Sequence, residues 1–341
     1  MQNCDDRHSS CIYILKIARE TDVYFEWARS RYRQLKKSII VALYLPEVGM
    51  RSKQFLGAAA ALALAVGLFS ASTYADTLAK IRQSGEFVLG HRESSSPFSF
   101  IGENNTGAGY SVDICLKIFE QVKEDLKMRD LKLKYTAVKP ADRIGAVKDG
   151  RIDVECGSTT NTVARQKDVA FSFTTFVAGA RLLAKKDSKL ADIDRMRGKT
   201  VVVTEKTTTE RVINQVNNER ALGLKVITAK DHAEGFKKME SGEADAVAND
   251  DALLLGLAAR SANPAQFDFV GKFLSVEPYG IMLRRDDPAF ATVVDKAIAK
   301  LFASGEIFKI YAKWFESGAF KLPMNQYMKE NVRLPNKYGV Q

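Results

Sequence analysis

Three arginines, two runs of hydroxyls and one aspartate are the residues whose types could hold a small charged molecule. Arg92, Arg143 and Arg165 fall in separate predicted loops, each close to Ser, Thr or Asp. Ser158, Thr159 and Thr160 directly follow a predicted strand, and Thr207, Thr208 and Thr209 precede a predicted helix. Hydroxyls and free N–H groups at a helix N-terminus favour an anion. A guanidinium takes a carboxylate through two parallel hydrogen bonds and keeps its charge at any relevant pH. Asp250 offers a carboxylate to an ammonium group. Several arginines and one acid facing a common cleft describe an anionic amino acid. Each residue also has a plainer use. Thr207–Thr209 can cap a helix, as can Asp250 or Asp251 before ALLLGLAAR; His232 can simply begin one, and a loop arginine can be a solvated charge.

These residues need elements to position them, and the chain from Asp76 onward alternates short helices with short apolar strands. Residues 78–84 read as a helix and EFVLGHR at 86–92 as a strand. GYSVDICLKIFEQVKEDL follows, with Val112, Cys115, Phe119, Val122 and Leu126 near helical spacing. LKLKYTAV at 131–138 alternates as a half-buried strand does, a short helix at 141–149 ends at Gly150, and IDVECG resumes the sheet. The pattern is α/β with largely parallel strands.

An internal echo predicts two lobes. VKDGRIDVECGST at 147–159 is matched by MESGEADAVANDD at 239–251, Gly150 and Asp153 falling on Gly242 and Asp245; FVLGHRES at 87–94 is matched by VVVTEKTTTE at 201–210. Crevices at strand C-termini are where open α/β sheets bind ligands, so two such sheets face to face would enclose a small molecule. FTTFVAGARLLAKK at 173–186 and EPYGIMLRRDD at 277–287 are long apolar strands with central Gly179 and Gly280. They are the expected hinge strands.

The 341 residues are 46% hydrophobic and 27% charged, which excludes a disordered or fibrous chain. Net charge is +10, but the basic residues beyond position 75 are dispersed among acids, 41 against 35, so no nucleic-acid partner is expected. Arg51 and Lys53 precede the apolar run FLGAAAALALAVGLFSA, and STYA ends at Ala75. Positive start, apolar middle and small-residue end make residues 50–75 a secretory signal. Translation is then expected from Met50, with 1–49 an extension of the gene model; the rival is a cytoplasmic tail before an uncleaved anchor. Of the four cysteines, Cys115 and Cys156 lie beyond the signal and permit one disulfide, which the sequence leaves open. No C-x-x-C or H-E-x-x-H pattern occurs, so neither metal nor cofactor is expected.

Taken together, GHRESSSPFSF at 90–100, GYSVD at 109–113, DRI at 142–144, ECGSTTN at 155–161, RQKDVAFS at 165–172, VVVT…TT at 201–208, AKDH at 229–232, NDDALL at 249–254 and YGIMLRRDD at 279–287 make the chain similar to family 3 of the bacterial solute-binding proteins. Within it, HRESS and ECGSTTN resemble the glutamate/aspartate-binding branch. The resemblance runs from about Thr77 to Phe315. It implies a two-lobed periplasmic-binding-protein fold of type II, with ligand in the cleft between lobes joined by a two-strand hinge. Residues 76–180 would form the first lobe, 181–279 the second, and 280–341 would return to the first.

The resemblance also implies roles. Arg165 would pair with the ligand α-carboxylate, supported by Ser158, Thr160 and Thr208. Asp250 would receive the α-ammonium, while Arg92, Arg143 and His232 would surround the side-chain carboxylate. Pro140 departs from relatives that place a serine there, which bears on the choice between aspartate and glutamate. The implied protein is a monomer in the periplasm that binds L-glutamate or L-aspartate and closes. It would deliver its ligand to inner-membrane ABC permease subunits driven by a separate ATPase. Two enzyme readings stand beside it: an exported dehydratase with Glu93, Glu155 or His232 as general acid, and a thiol hydrolase on Cys156 and His232. A sensor ectodomain is the third.

Overall fold

The computed structural model describes residues 76–317 and 321–341. The expectations for residues 1–75, a secretory signal and an extension before it, lie outside the described residues. Along the chain run α1 (Thr77–Ser84), β1 (Glu86–His91), β2 (Ser94–Ser95), β3 (Ser99–Ile101), β4 (Gly107–Ala108), α2 (Tyr110–Leu126), β5 (Lys132–Ala137), α3 (Arg143–Lys148), β6 (Val154–Cys156) and β7 (Val169–Ala178). Next come β8 (Ala180–Lys185), β9 (Thr200–Thr204), α4 (Thr208–Glu219), β10 (Lys225–Ala229), α5 (His232–Glu240), β11 (Ala246–Asp250), α6 (Asp251–Ala258) and β12 (Phe267–Val270). β13 (Glu277–Arg284), α7 (Pro288–Ser304), α8 (Glu306–Phe315) and α9 (Gln326–Arg333) complete it.

The strands form two five-stranded sheets, ordered β5-β1-β6-β13-β7 and β10-β9-β11-β8-β12, while β2, β3 and β4 make a small third sheet. Each large sheet has the same plan: three parallel neighbours, then two strands joined antiparallel. The largely parallel arrangement expected from the sequence therefore covers two of the four pairings in each sheet.

The echo in the sequence is a hydrogen-bond motif repeated in both sheets. Asp153 donates its N–H to Val88 O and accepts the Val88 N–H on Oδ2, both at 2.8 Å. Asp245 does the same with Thr200, at 2.9 and 2.8 Å. Gly150 and Gly242 precede them with φ of +70° and +85°, a turn that glycine makes without strain. The two copies differ in burial. The Asp153 carboxylate is fully buried and paired with Lys80 Nζ at 2.8 Å; that of Asp245 is 36% exposed and 3.4 Å from Lys199 Nζ. Removing Asp153 leaves the buried Val88 N–H without its acceptor, which costs about 1–3 kcal/mol, against at most about 1 kcal/mol for an exposed pair. Asp153→Ala should accordingly lower the urea midpoint several times more than Asp245→Ala, and equal shifts would refute this reading of the repeat.

Burial of apolar surface holds the sheets. Val112, Cys115, Ile118, Phe119 and Val122 of α2 are buried on one face, meeting α7, α8 and the first sheet in a core rich in aromatic rings. Phe176 of β7 lies between Phe98, Tyr110, Tyr279, Tyr311 and Phe315, with centroids 4.7–6.0 Å away. Cys115 and Cys156 are joined as a disulfide, their Cα atoms 6.2 Å apart, tying α2 to β6. The second sheet packs Val201, Val203 and Ile213 in one cluster and Val202, Val247 and Leu254 in another.

The chain passes between the sheets twice. At Gly179 the long apolar segment is broken, β7 lying in the first sheet and β8 in the second. The return runs through 271–276, between β12 and β13. Gly280, the other expected hinge residue, instead lies inside β13 at an irregularity of its pairing with β7. A long apolar strand with a central glycine fits a bulge as well as a crossing, which is why its sequence reads both ways. Glu277–Tyr279 already pair with Ala178–Phe176, so the return to the first sheet begins three residues before 280.

Candidate functional site

The polar residues singled out in the sequence come together at one place. Arg92 directly follows β1, Ser158 and Thr160 follow β6, and Arg143 opens α3 after β5. On the second sheet Thr208 opens α4 after β9, His232 opens α5 after β10, and Asp250 ends β11. Arg165 begins a single 3-10 turn at Arg165–Lys167. These are strand C-termini and the helix starts that follow them, the positions where α/β sheets expose free N–H groups and bind ligands. All eight line one small cavity, with Thr207, Thr209, Asn249 and Leu253.

The plainer uses are now decided residue by residue. Thr207 is the cap of α4, accepting the Glu210 N–H at 3.1 Å, which leaves Thr208 and Thr209 free for the cavity. Asp250 stands at the cap position of α6, but its carboxylate makes no capping bond; Oδ1 accepts the Thr209 hydroxyl at 3.2 Å and Oδ2 accepts the Tyr279 hydroxyl. His232 both begins a helix and lines the cavity.

The walls are rich in donors. Arg92 and Arg143 are each 3% exposed, and the Nε of each has no hydrogen-bond partner among the described residues. The Ser158 hydroxyl is likewise buried and unpartnered. Arg143 Nη1 donates to the Pro140 carbonyl, so Pro140 touches the site through its backbone. Burial, and then the charges of Arg165 and Arg92, push the Arg143 pKa well down. A guanidinium nevertheless stays charged in proteins, so the wall holds mutually repelling cations that an anion would relieve. Arg92 Nη1 has one carboxylate nearby, Glu155 Oε1 at 3.7 Å, and Glu155 is fully buried.

Arg165 spans both halves of the site, Nη1 donating to Thr160 O at 2.8 Å and Nη2 to Lys206 O at 3.4 Å. The loop that carries it is braced by the C-terminal segment: Val163 N donates to Val340 O at 2.9 Å, and Asn161 Nδ2 to Lys337 O at 3.0 Å. Opposite, Glu277 Oε2 accepts the hydroxyls of Thr160 and Thr208 at 2.6 and 2.7 Å. Burial and the Glu277 carboxylate push Asp250 up to about 8. An acid raised in this way destabilises this arrangement of the site increasingly as pH climbs from about 4 towards 8. An ammonium placed against Asp250 removes that penalty.

Reading by residue type missed Glu277, Tyr279 and Asn249 as parts of this arrangement. Glu277 and Tyr279 sit in a strand that reads as core; Asn249 adjoins Asp250 in NDD, which was the available signal. Of the acids named for an enzyme, neither Glu93 nor Glu155 lines the cavity. Cys156 is consumed by its disulfide and cannot serve as a nucleophile.

The sequence model of the bacterial extracellular solute-binding proteins, family 3, matches residues 87–317. The L-glutamate/L-aspartate-binding protein of Pseudomonas aeruginosa is 43% identical over 284 residues, covering 80% of this chain and 94% of that protein. The glutamate/aspartate import solute-binding protein of Escherichia coli K12 is 45% identical over 261 residues, covering 75% and 86%. These relatives are solute-binding proteins, not enzymes. Among solved structures, an ancestral arginine-binding protein bound to arginine superposes with a TM-score of 0.61 at 30% identity, covering 68% of this chain and 98% of that one. The fold is thus the two-lobed α/β fold of type II periplasmic binding proteins, and the chain belongs to the bacterial extracellular solute-binding proteins, family 3.

Proposed function

We propose that this chain is the periplasmic substrate-binding component of an ABC importer for acidic amino acids, L-glutamate or L-aspartate. One observation carries the reading: three guanidinium groups and a single uncapped aspartate line the same small cavity. Arg165, with Ser158, Thr160 and Thr208, takes the α-carboxylate. Asp250 takes the α-ammonium. Arg92, Arg143 and His232 face the side-chain carboxylate, where a neutral side chain would leave buried charges unpaired, a costly arrangement. The names of the Pseudomonas and Escherichia relatives agree with this ligand class.

Residues 50–75 export the chain, and the mature protein is a monomer beginning near Asp76. Its lobes are built on the two large sheets, 76–178 with 277–341 and 180–270, joined through the two crossings at Gly179 and 271–276. Ligand binds the first lobe in the open form; the second then closes on it and excludes water, which strengthens the ion pairs. The closed form is what a permease in the inner membrane reads, with a separate ATPase supplying energy.

The test is a thermal-shift screen of residues 76–341 against the common amino acids, after unfolding and refolding to strip bound ligand. Ligand at 1,000 times its Kd adds about 4.1 kcal/mol, which is roughly 8 °C or more for a domain of this size. Shifts of that size with L-glutamate and L-aspartate alone are expected. No shift with any amino acid would overturn the reading.

Closure itself is tested at Gly256 in α6. A Cβ there would stand 2.3 Å from the carbonyl oxygen of Ser96, on the other lobe. Within a helix, Gly→Ala adds up to about 1 kcal/mol of stability. Gly256→Ala should therefore leave the ligand-free Tm unchanged or raised while weakening glutamate binding at least tenfold by calorimetry. Unchanged affinity would mean that closure does not bring α6 against Ser96.

A further inference from the structure

The donor wall includes a histidine whose tautomer its neighbours decide. His232 is 3% exposed, and its Nδ1 lies 2.8 Å from Thr204 Oγ1 and 2.9 Å from Asn249 Nδ2. The orientation of the Asn249 amide follows from its other bond: Oδ1 accepts the backbone N–H of Asp250 at 3.0 Å. That bond turns Nδ2 towards the imidazole, and an amide NH2 only donates. Nδ1 must therefore accept and cannot carry the proton. A neutral ring in this setting carries it on Nε2, the nitrogen these neighbours leave free.

The charged groups around the ring keep it neutral. Burial, and then Arg92 and Arg143, push the His232 pKa well below its ordinary value. Asp250, the acid next in sequence to Asn249, spends its carboxylate on Thr209 and Tyr279 rather than on the imidazole.

We infer that Asn249 is a positioning residue that holds His232 with its proton on Nε2, so that the ring presents a donor, never an acceptor, to the bound ligand. The inference rests on the reading above in that His232 faces the ligand side chain. With Arg92 and Arg143 beside it, this makes that wall donor-only. A carboxylate offers acceptors to every member of such a wall. The amide of glutamine offers one acceptor, and its NH2 meets a donor. Asn249 thus discriminates acid from amide through the imidazole it holds.

The experiment is nitrogen-15 NMR of the full chain labelled at histidine, with His232→Gln assigning the signal. The ring nitrogens of His232 should show Nδ1 unprotonated and Nε2 protonated, without titrating between pH 5 and 8. A protonated Nδ1 in the unaltered protein, or titration in that range, overturns the inference. In Asn249→Asp the new carboxylate accepts, so Nδ1 should become protonated. The preference for L-glutamate over L-glutamine, taken as a ratio of Kd values, should fall at least tenfold. An unchanged nitrogen signature or an unchanged ratio in that variant also overturns it. The spectrum of the unaltered protein, assigned through His232→Gln, needs no ligand, so absence of glutamate binding with the Nε2–H tautomer intact would strike the proposed ligand and not the role of Asn249.

Discussion

Arg165→Ala is expected to weaken the binding of every α-amino acid severely while the ligand-free protein stays folded. The guanidinium bonds to the Thr160 carbonyl of its own loop and reaches the Lys206 carbonyl across the cleft. It is therefore fixed before a ligand arrives, and an α-carboxylate docking on it meets no ordering cost for that side chain. Truncating one member of a buried, hydrogen-bonded charge pair costs about 2–5 kcal/mol of binding, or about 30- to several-thousand-fold in Kd. The loss should be the same for acidic and neutral ligands, because every amino acid has the α-carboxylate. Folding loses far less: the loop keeps its bonds to the C-terminal segment, and about 1 kcal/mol covers the donor withdrawn from Thr160. Calorimetry with glutamate would decide it. An affinity within tenfold of the parent would move the α-carboxylate site elsewhere.

Arg92→Ala should behave differently, with a loss that depends on the ligand and a cost to the fold. Arg92 Nη1 is 3.7 Å from Glu155 Oε1, and both side chains are buried. Neither Glu155 oxygen has a hydrogen-bond partner, so the guanidinium is its compensation. Withdrawing it leaves the buried carboxylate only the more distant Arg143 and Arg165 guanidinium groups, at up to about 3–5 kcal/mol of stability. Arg92→Ala combined with Glu155→Gln should restore the urea midpoint, since the stranded charge is gone. It should not restore selectivity: glutamate affinity should remain down by about 100-fold or more, within the range for a buried ionic partner, and glutamine affinity by much less. Equal losses for the two ligands in the double variant would refute the side-chain role of Arg92. An unrecovered midpoint would refute the compensation of Glu155.

Much of this was legible in the sequence because it is encoded locally. The Gly-x-x-Asp echo has a local cause: a turn with positive φ and an aspartate that caps the neighbouring strand. It predicted two like sheets. The arginines and hydroxyls were visible because polar residues at strand ends serve few structural needs there. What escaped depends on contacts between distant segments. Tyr279 reads as an apolar strand residue, yet its hydroxyl meets Asp250 from the other lobe. Glu277 reads as a strand terminus, yet Thr160 and Thr208 donate to it from opposite sides of the cleft. Gly280 and Gly179 occupy similar sequence settings, and only the pairing of strands tells the bulge from the crossing.

The strand order also bears on how such a chain folds as its residues become available in order. By the time Val270 has emerged, every strand of the second sheet is present, since β8 to β12 are consecutive. The first sheet is then parted down its middle, because β13 belongs between β6 and β7. Thr175 waits for Tyr279, 104 positions later, and the aromatic core waits for Tyr311 and Phe315. Contacts so far apart in the chain form slowly, and until they do, two strand edges stand open to pairing with other chains. The vulnerable interval in this protein's life is thus the passage of its last seventy or so residues, and a chain stalled there would carry one finished lobe and one that is ready to aggregate.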